Sequence, residues 1–357
     1  MKKVVLAFDR ELVIAEKKES RWNIHSHFKG ANPITLANDP HNPERLYCGT
    51  FDRGLWRSRD GGSSWEAIGT LYSFGDVYPS DASSMSSITA VTVSPLNGEN
   101  GDGIIYVGTE PSALFISRDG GDSFELLTDY RQIPSYSSWF FPQRTYTHHV
   151  KHIEISATNP QTLYTTIEVG GLMKSVDGGT TWTEEKGENH PQDIHILKSH
   201  QQHPDRLYGV LGDSFLKEPG HEYAESYDGG QTWQYITEGL NHHYAYHMAV
   251  NPNDPDTIII ATSSNPHAAH EYENGRCESF IYRKEKNQPW TRITTGLPVA
   301  KGTLIPVLKA TVENDFYLFS NKGVFQSIDG GLKWASLDIP WEQRFVTQHP
   351  YEMMIIE

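Results

Sequence analysis

Three histidines occupy one register in successive segments of this 357-residue chain. His152-Ile-Glu-Ile-Ser156 precedes Ala-Thr-Asn-Pro, His195-Ile-Leu-Lys-Ser199 precedes His-Gln-Gln-His-Pro, and His247-Met-Ala-Val-Asn251 precedes Pro-Asn-Asp-Pro. The matching places in two earlier segments read Ile34 and Ala90. Neutral imidazoles are donors for a divalent transition metal (Zn, Mn, Fe or Cu), and three on rigid strands leave coordination positions open for water or substrate. His148 and His243 each stand four residues before such a histidine, and His190 stands five before His195. With His149 and His242 they are candidate further ligands or proton carriers. The second series is acidic. Asp9, Asp52, Glu110, Glu168 and Asp213 each close an apolar run and open a turn, with Arg10 and Arg53 directly after two of them. Carboxylates so placed act as general bases or hold hydroxyls and cations, although Asp and Glu also open turns for local reasons.

The element that must position these residues is a repeat. Ser58-Arg-Asp-Gly-Gly-Ser-Ser-Trp65 recurs as Ser117-Arg-Asp-Gly-Gly-Asp-Ser-Phe124, Ser175-Val-Asp-Gly-Gly-Thr-Thr-Trp182, Ser226-Tyr-Asp-Gly-Gly-Gln-Thr-Trp233 and Ser327-Ile-Asp-Gly-Gly-Leu-Lys-Trp334. Paired glycines supply the positive φ of a tight hairpin, while the Asp carboxylate and Ser hydroxyl can cap amides of the turn. Asp60, Asp119, Asp177, Asp228 and Asp329 are therefore expected to be structural; a calcium loop would need more oxygen ligands at alternate positions. Successive Asp residues lie 59, 58, 51 and 101 positions apart. The doubled gap predicts a decayed copy, and Arg283-Lys-Glu-Lys-Asn-Gln-Pro-Trp290 sits where it belongs. A seventh unit at residues 4–28 shows three strand signals only, and the apolar run Tyr351-Glu-Met-Met-Ile-Ile-Glu357 is expected to supply its missing inner strand. The prediction is an all-β, seven-bladed β-propeller of four-stranded antiparallel blades, one domain over residues 1–357, closed by its C-terminal strand.

The pattern SxDGGxxW resembles the Asp-box, also called the BNR repeat, over nearly the whole chain. That repeat occurs in sialidases, xyloglucan hydrolases, sorting receptors and photosystem assembly factors, so the resemblance implies a fold and leaves function open. It places the boxes on the bottom face, between strands C and D of each blade. The A–B turns share that face, so His41, His200 and His203 are expected to be solvated turn residues. A sialidase is disfavoured: the Arg-Ile-Pro motif of that family is absent, and seven blades depart from its six. Xyloglucan hydrolases of this class carry two propellers, and the repeat count gives one.

The opposite face is expected to carry long connections at 71–87, 129–149, 211–221 and 263–276, and long loops on one rim of a rigid scaffold commonly bind ligands. The 129–149 loop is aromatic, with Tyr136, Trp139, Phe140, Phe141 and Tyr146 beside Arg144. A net charge of −15 disfavours nucleic acid and anionic membranes as partners. No apolar run is long enough to span a bilayer. The start Met-Lys-Lys-Val-Val-Leu-Ala-Phe-Asp lacks an export signal, giving a cytoplasmic expectation. Two cysteines, Cys48 and Cys277, build no disulfide framework. The functional expectation is a metal-dependent lyase or hydrolase acting on a sugar or other polar small molecule, its ion held by His152, His195 and His247. His148, His243, Glu168 and Tyr146 would serve as acid and base. Asp9, Arg10, Asp52, Arg53, Glu110, Trp139, Arg144 and Asp213 would contact substrate. The alternative is a non-catalytic platform that binds a protein partner on the same rim.

Overall fold

The computed structural model describes residues 2–69, 87–187, 189–212 and 220–356. Asp213 and most of the expected 71–87 and 211–221 connections lie outside them. Seven four-stranded antiparallel sheets make the chain a seven-bladed β-propeller. Blade 1 has the strand order Pro350–Ile356, Lys3–Phe8, Leu12–Lys18, Arg21–His27, so the C-terminal run does supply the inner strand A. The other strands A are Pro33–Asn38, Ser87–Asn97, Val150–Ile155, Ile194–His200, Tyr244–Asn251 and Val307–Ala310, each followed by B, C and D in sequence. The chain divides into two compact units, residues 1–27 with 198–357, and residues 28–197.

Strands B explain why the blades hold together. Leu46–Thr50, Leu163–Ile167 and Phe316–Ser320 are buried at every position. A strand covered on both faces reads as a continuous apolar run, where a half-solvated strand would alternate. Outer strands such as Glu125–Leu126 and Ala335–Ser336 shrink to two largely exposed residues, which leaves little edge for unwanted pairing. Within residues 28–197, Tyr106, Tyr130, Trp139, Val150 and Trp182 share a core between blades 3 and 4. Within the other unit, Val4, Phe8, Tyr317, Phe319 and Met353 pack blade 1 against blade 7.

The boxes close through one hydrogen-bond pattern. In blade 5 the Ser226 hydroxyl donates to Asp228 Oδ1 at 2.8 Å and accepts the Gly230 amide at 2.8 Å. Asp228 Oδ1 also accepts the amides of Gln231 and Thr232, at 3.0 and 2.9 Å. Trp233 then donates its indole N–H to the Gly230 carbonyl at 3.0 Å. Both glycines have positive φ, 74° and 99°, which a side chain at either place would strain. The decayed box keeps the hairpin but not the chemistry. Asn287 takes the left-handed φ of 54°, and the Trp290 indole donates instead to the Ile236 carbonyl at 2.7 Å. One expected turn residue differs: His200 is buried, with Nε2 at 3.0 Å from the Asn251 carbonyl, whereas His41 and His203 are exposed.

Candidate functional site

Charged groups converge where blades 3, 4 and 5 begin. Glu168 follows strand Leu163–Ile167 and opens the B–C turn of blade 4. The amides of Gly170 and Gly171 both donate to the Gln192 carbonyl, at 3.2 and 3.0 Å. That clasp ties the turn to the residue just before Asp193, which immediately precedes strand Ile194–His200, and Asp193 and His195 then meet Glu168. Ligand atoms of Glu168, Asp193 and His195 all lie within 4.8 Å of one another. Val169, a β-branched residue, is held at φ 52°, a strained conformation of the kind that recurs at functional turns.

The surrounding charges complete the arrangement. His149 is 7% exposed, with Nε2 at 3.3 Å from Glu168 and Nδ1 at 3.6 Å from Glu110. Arg144 grips Glu110 with two nitrogens, at 3.0 and 2.7 Å, and Lys151 Nζ lies 3.7 Å from Glu168. Burial works against a charge on Glu168, yet Lys151 together with His149 and His195 holds its carboxyl well below the usual range. Glu168 is thus an ionised carboxylate near neutrality. A carboxylate so held suits a cation ligand or a base. Three carboxylates (Glu110, Glu168 and Asp193) face two permanent cations, Arg144 and Lys151. Counted by fixed charges alone, these groups hold more acids than cations in a poorly solvated place, where uncompensated charge is costly.

The three expected histidines have distinct surroundings. His195 is 1% exposed and belongs to the cluster above. His152 directs Nε2 toward Glu154 at 3.5 Å, its own i+2 neighbour. His247 lies in the other unit, where its Nδ1 accepts the Leu308 amide at 3.2 Å. In that tautomer Nε2 carries the proton and offers no lone pair to an ion. The strand register also moves one alignment. Bulges put Thr35, rather than Ile34, level with Ala90, His152 and His247.

Other expected site residues separate into packed and exposed groups. Trp139 is 5% exposed and packs on Tyr130 and Tyr136, so it is core rather than an open stacking face. His148 lies edge-on to Tyr136 and Trp139, and burial lowers its pKa to about 4. Tyr146 is 86% exposed. Asp52 caps the Asn32 amide at 3.2 Å, and Arg53 reaches the Gly30 carbonyl at 3.4 Å. Asp9 and Arg10 pair with each other at 3.5 Å; burial raises the Asp9 pKa against the pull of Arg10. His243 is half exposed, with Nδ1 bonded to the buried Glu222. Sequence reasoning missed Asp193 and Lys151. The available signal was an acid two residues before the strand histidine, in Asp193-Ile-His195.

No family model matches the chain. No curated protein matches it either. Solved structures do. An ancestral GH74 enzyme is similar with a TM-score of 0.62 at 16% identity, over 86% of this chain and 39% of its own. A GH74 enzyme from Niastella koreensis gives 0.60 at 18%, over 85% and 46%, so the chain spans less than half of either enzyme. YCF48 bound to D1 peptide gives 0.56 at 17% identity, over 87% of this chain and 82% of that one. At these identities the likeness concerns the fold, and that fold is the seven-bladed propeller.

Proposed function

We propose that this propeller is a cation-dependent hydrolase or lyase acting on a saccharide or other polar small molecule, with Glu168, Asp193 and His195 as the ion ligands. The observation that carries the proposal is the convergence of two carboxylates and an imidazole within 4.8 Å, in a cluster with more acids than fixed cations. Such a mixed oxygen and nitrogen donor set suits Mn2+, Fe2+ or Zn2+. A bound ion supplies Lewis acidity to a water or substrate hydroxyl. His149, facing Glu168 with one nitrogen and Glu110 with the other, carries the proton, while Lys151 and Arg144 hold the carboxylates in place. The same proposal narrows the metal assignment: His152 and His247 are not ligands. We also assign the chain to the Asp-box propellers, on the repeated Ser–Asp–Gly bonding. Likeness to GH74 enzymes favours a saccharide substrate by analogy of fold alone.

The test is calorimetric titration of Mn2+ and Zn2+ into protein purified without chelator or nickel resin. About one equivalent is expected, weakened at least about tenfold in Glu168→Gln and Asp193→Asn and retained in His152→Ala. Saccharide turnover, followed by reducing ends or by unsaturated product, should require the same residues. Absence of a stoichiometric ion from folded protein refutes the proposal. It would favour the second function, a protein-binding platform, which the peptide-bound state of YCF48 makes the specific rival.

A further inference from the structure

A separate cavity of about 290 Å3 opens in the unit formed by residues 1–27 and 198–357. Its walls come from strands C and D of blade 6, the connection to blade 7, and Leu318 on strand B of blade 7. Phe280, Ile281, Ile293, Leu297, Pro306 and Leu318 make the lining apolar. Two of the lining hydroxyls are turned to the protein itself. Thr303 donates to the Val299 carbonyl at 2.7 Å, and Ser279 to the Leu304 carbonyl at 3.4 Å. At the mouth Val299 is 78% exposed, an apolar lip with nothing over it among the described residues.

Among the described residues the one fixed charge in the lining is Arg292. Its guanidinium lies over the Phe280 ring, 4.6 Å from the centroid, and meets no carboxylate at ion-pair distance among the described residues. A second nitrogenous group packs on the same ring. His242 stacks on Phe280 at 3.5 Å, its Nδ1 2.7 Å from the Tyr282 hydroxyl.

We propose that this cavity binds a small apolar organic acid, its hydrocarbon or aryl body against Ile281, Ile293 and Leu318 and its carboxylate on the Arg292 fork. Each feature selects one part of the ligand. Apolar walls select the body, and a planar guanidinium selects a carboxylate, which it binds through two parallel bonds. Inward-turned hydroxyls select against sugars. The volume is at the small end of ligand pockets, roughly 300–1,000 Å3, which selects against a longer chain. The site is independent of the Glu168 cluster, and neither proposal depends on the other.

The test uses three probes of one shape: 4-phenylbutyrate, its neutral amide 4-phenylbutyramide, and 4-phenylbutylamine, titrated by calorimetry and by ligand-observed NMR. The acid is expected to bind at least about tenfold tighter than the amide, and the amine not at all. Arg292→Gln should reduce the acid to the affinity of the amide. Arg292 is exposed, and its side chain makes no hydrogen bond among the described residues, so folding should be untouched, which a urea melt checks. Ile293→Trp, which fills the cavity, should abolish binding of both. Equal binding of acid and amide, persistence of the acid's advantage in Arg292→Gln, or no binding of the acid at millimolar concentration would each overturn the proposal.

Discussion

Replacing Asp228 with Ala removes one box at its centre. The carboxylate accepts four bonds: the Ser226 hydroxyl, the Gln231 and Thr232 amides, and the Thr232 hydroxyl. Burial alone would raise its pKa, but these donors lower it from 3.8 to about 2. Taken at face value, that shift is worth about 2.4 kcal/mol at about 1.36 kcal/mol per unit. The turn is largely open to water, so screening cuts the charged part to about 1 kcal/mol. Losing the cap costs a similar amount to losing a helix N-cap, about 1 kcal/mol, largely through the same bonds. Asp228→Ala should therefore lower stability by about 1–2 kcal/mol at pH 7. A depressed folded-state pKa gives stability that is complete above about pH 4 and lost as pH falls through about 2. The deficit of the variant should be constant from pH 7 to 4 and shrink toward pH 2. Asp228→Asn, which keeps an acceptor oxygen but no charge, should lie between. Urea denaturation followed by tryptophan fluorescence measures this, since Trp233 reports directly on the box. A deficit that is absent at pH 7, or that grows on acidification, refutes the reasoning.

Two further substitutions separate structural from functional roles. Arg206 binds the fully buried Glu225 through two nitrogens at 2.9 and 2.7 Å, and Arg206→Met should cost about 3–5 kcal/mol. The double variant Arg206→Met, Glu225→Leu should recover part of that in a urea melt, because the buried carboxylate is gone, while the Tyr223 hydroxyl and Asp256 each lose a partner. Trp139→Ala should cost about 3–5 kcal/mol as a core deletion, while the stoichiometry of metal binding in the folded fraction stays unchanged.

The fold was legible because its punctuation is chemical. Gly-Gly after Ser-x-Asp can only be a hairpin of one kind, and five copies at blade spacing set the period even across the decayed box at Trp290. The incomplete first blade and the orphan strand at the other end also pointed to each other. The site was legible only in part. Glu168 and His195 stood out in the sequence by their positions after strand B and on strand A, but which side chains meet depends on contacts made between blades. The Gly170 and Gly171 clasp on Gln192, which brings Asp193 to Glu168, leaves no mark in the sequence pattern. Strand bulges before His152 and His247 rotate those positions relative to a simple alternation. An aromatic run such as 136–141 reads alike whether its rings face solvent or, as with Trp139, the core.

Pairing of Pro350–Ile356 with Lys3–Phe8 has a consequence for biosynthesis. The amino-terminal blade leaves the ribosome with one side of Lys3–Phe8 unzipped, and its partner is not made until translation has passed every other blade. Throughout elongation the nascent chain therefore carries an open, apolar template that a neighbouring nascent chain can occupy. A circular permutant opened between blades 2 and 3, with the native ends joined by a short linker, delivers both halves of that blade together and should aggregate less when translated rapidly.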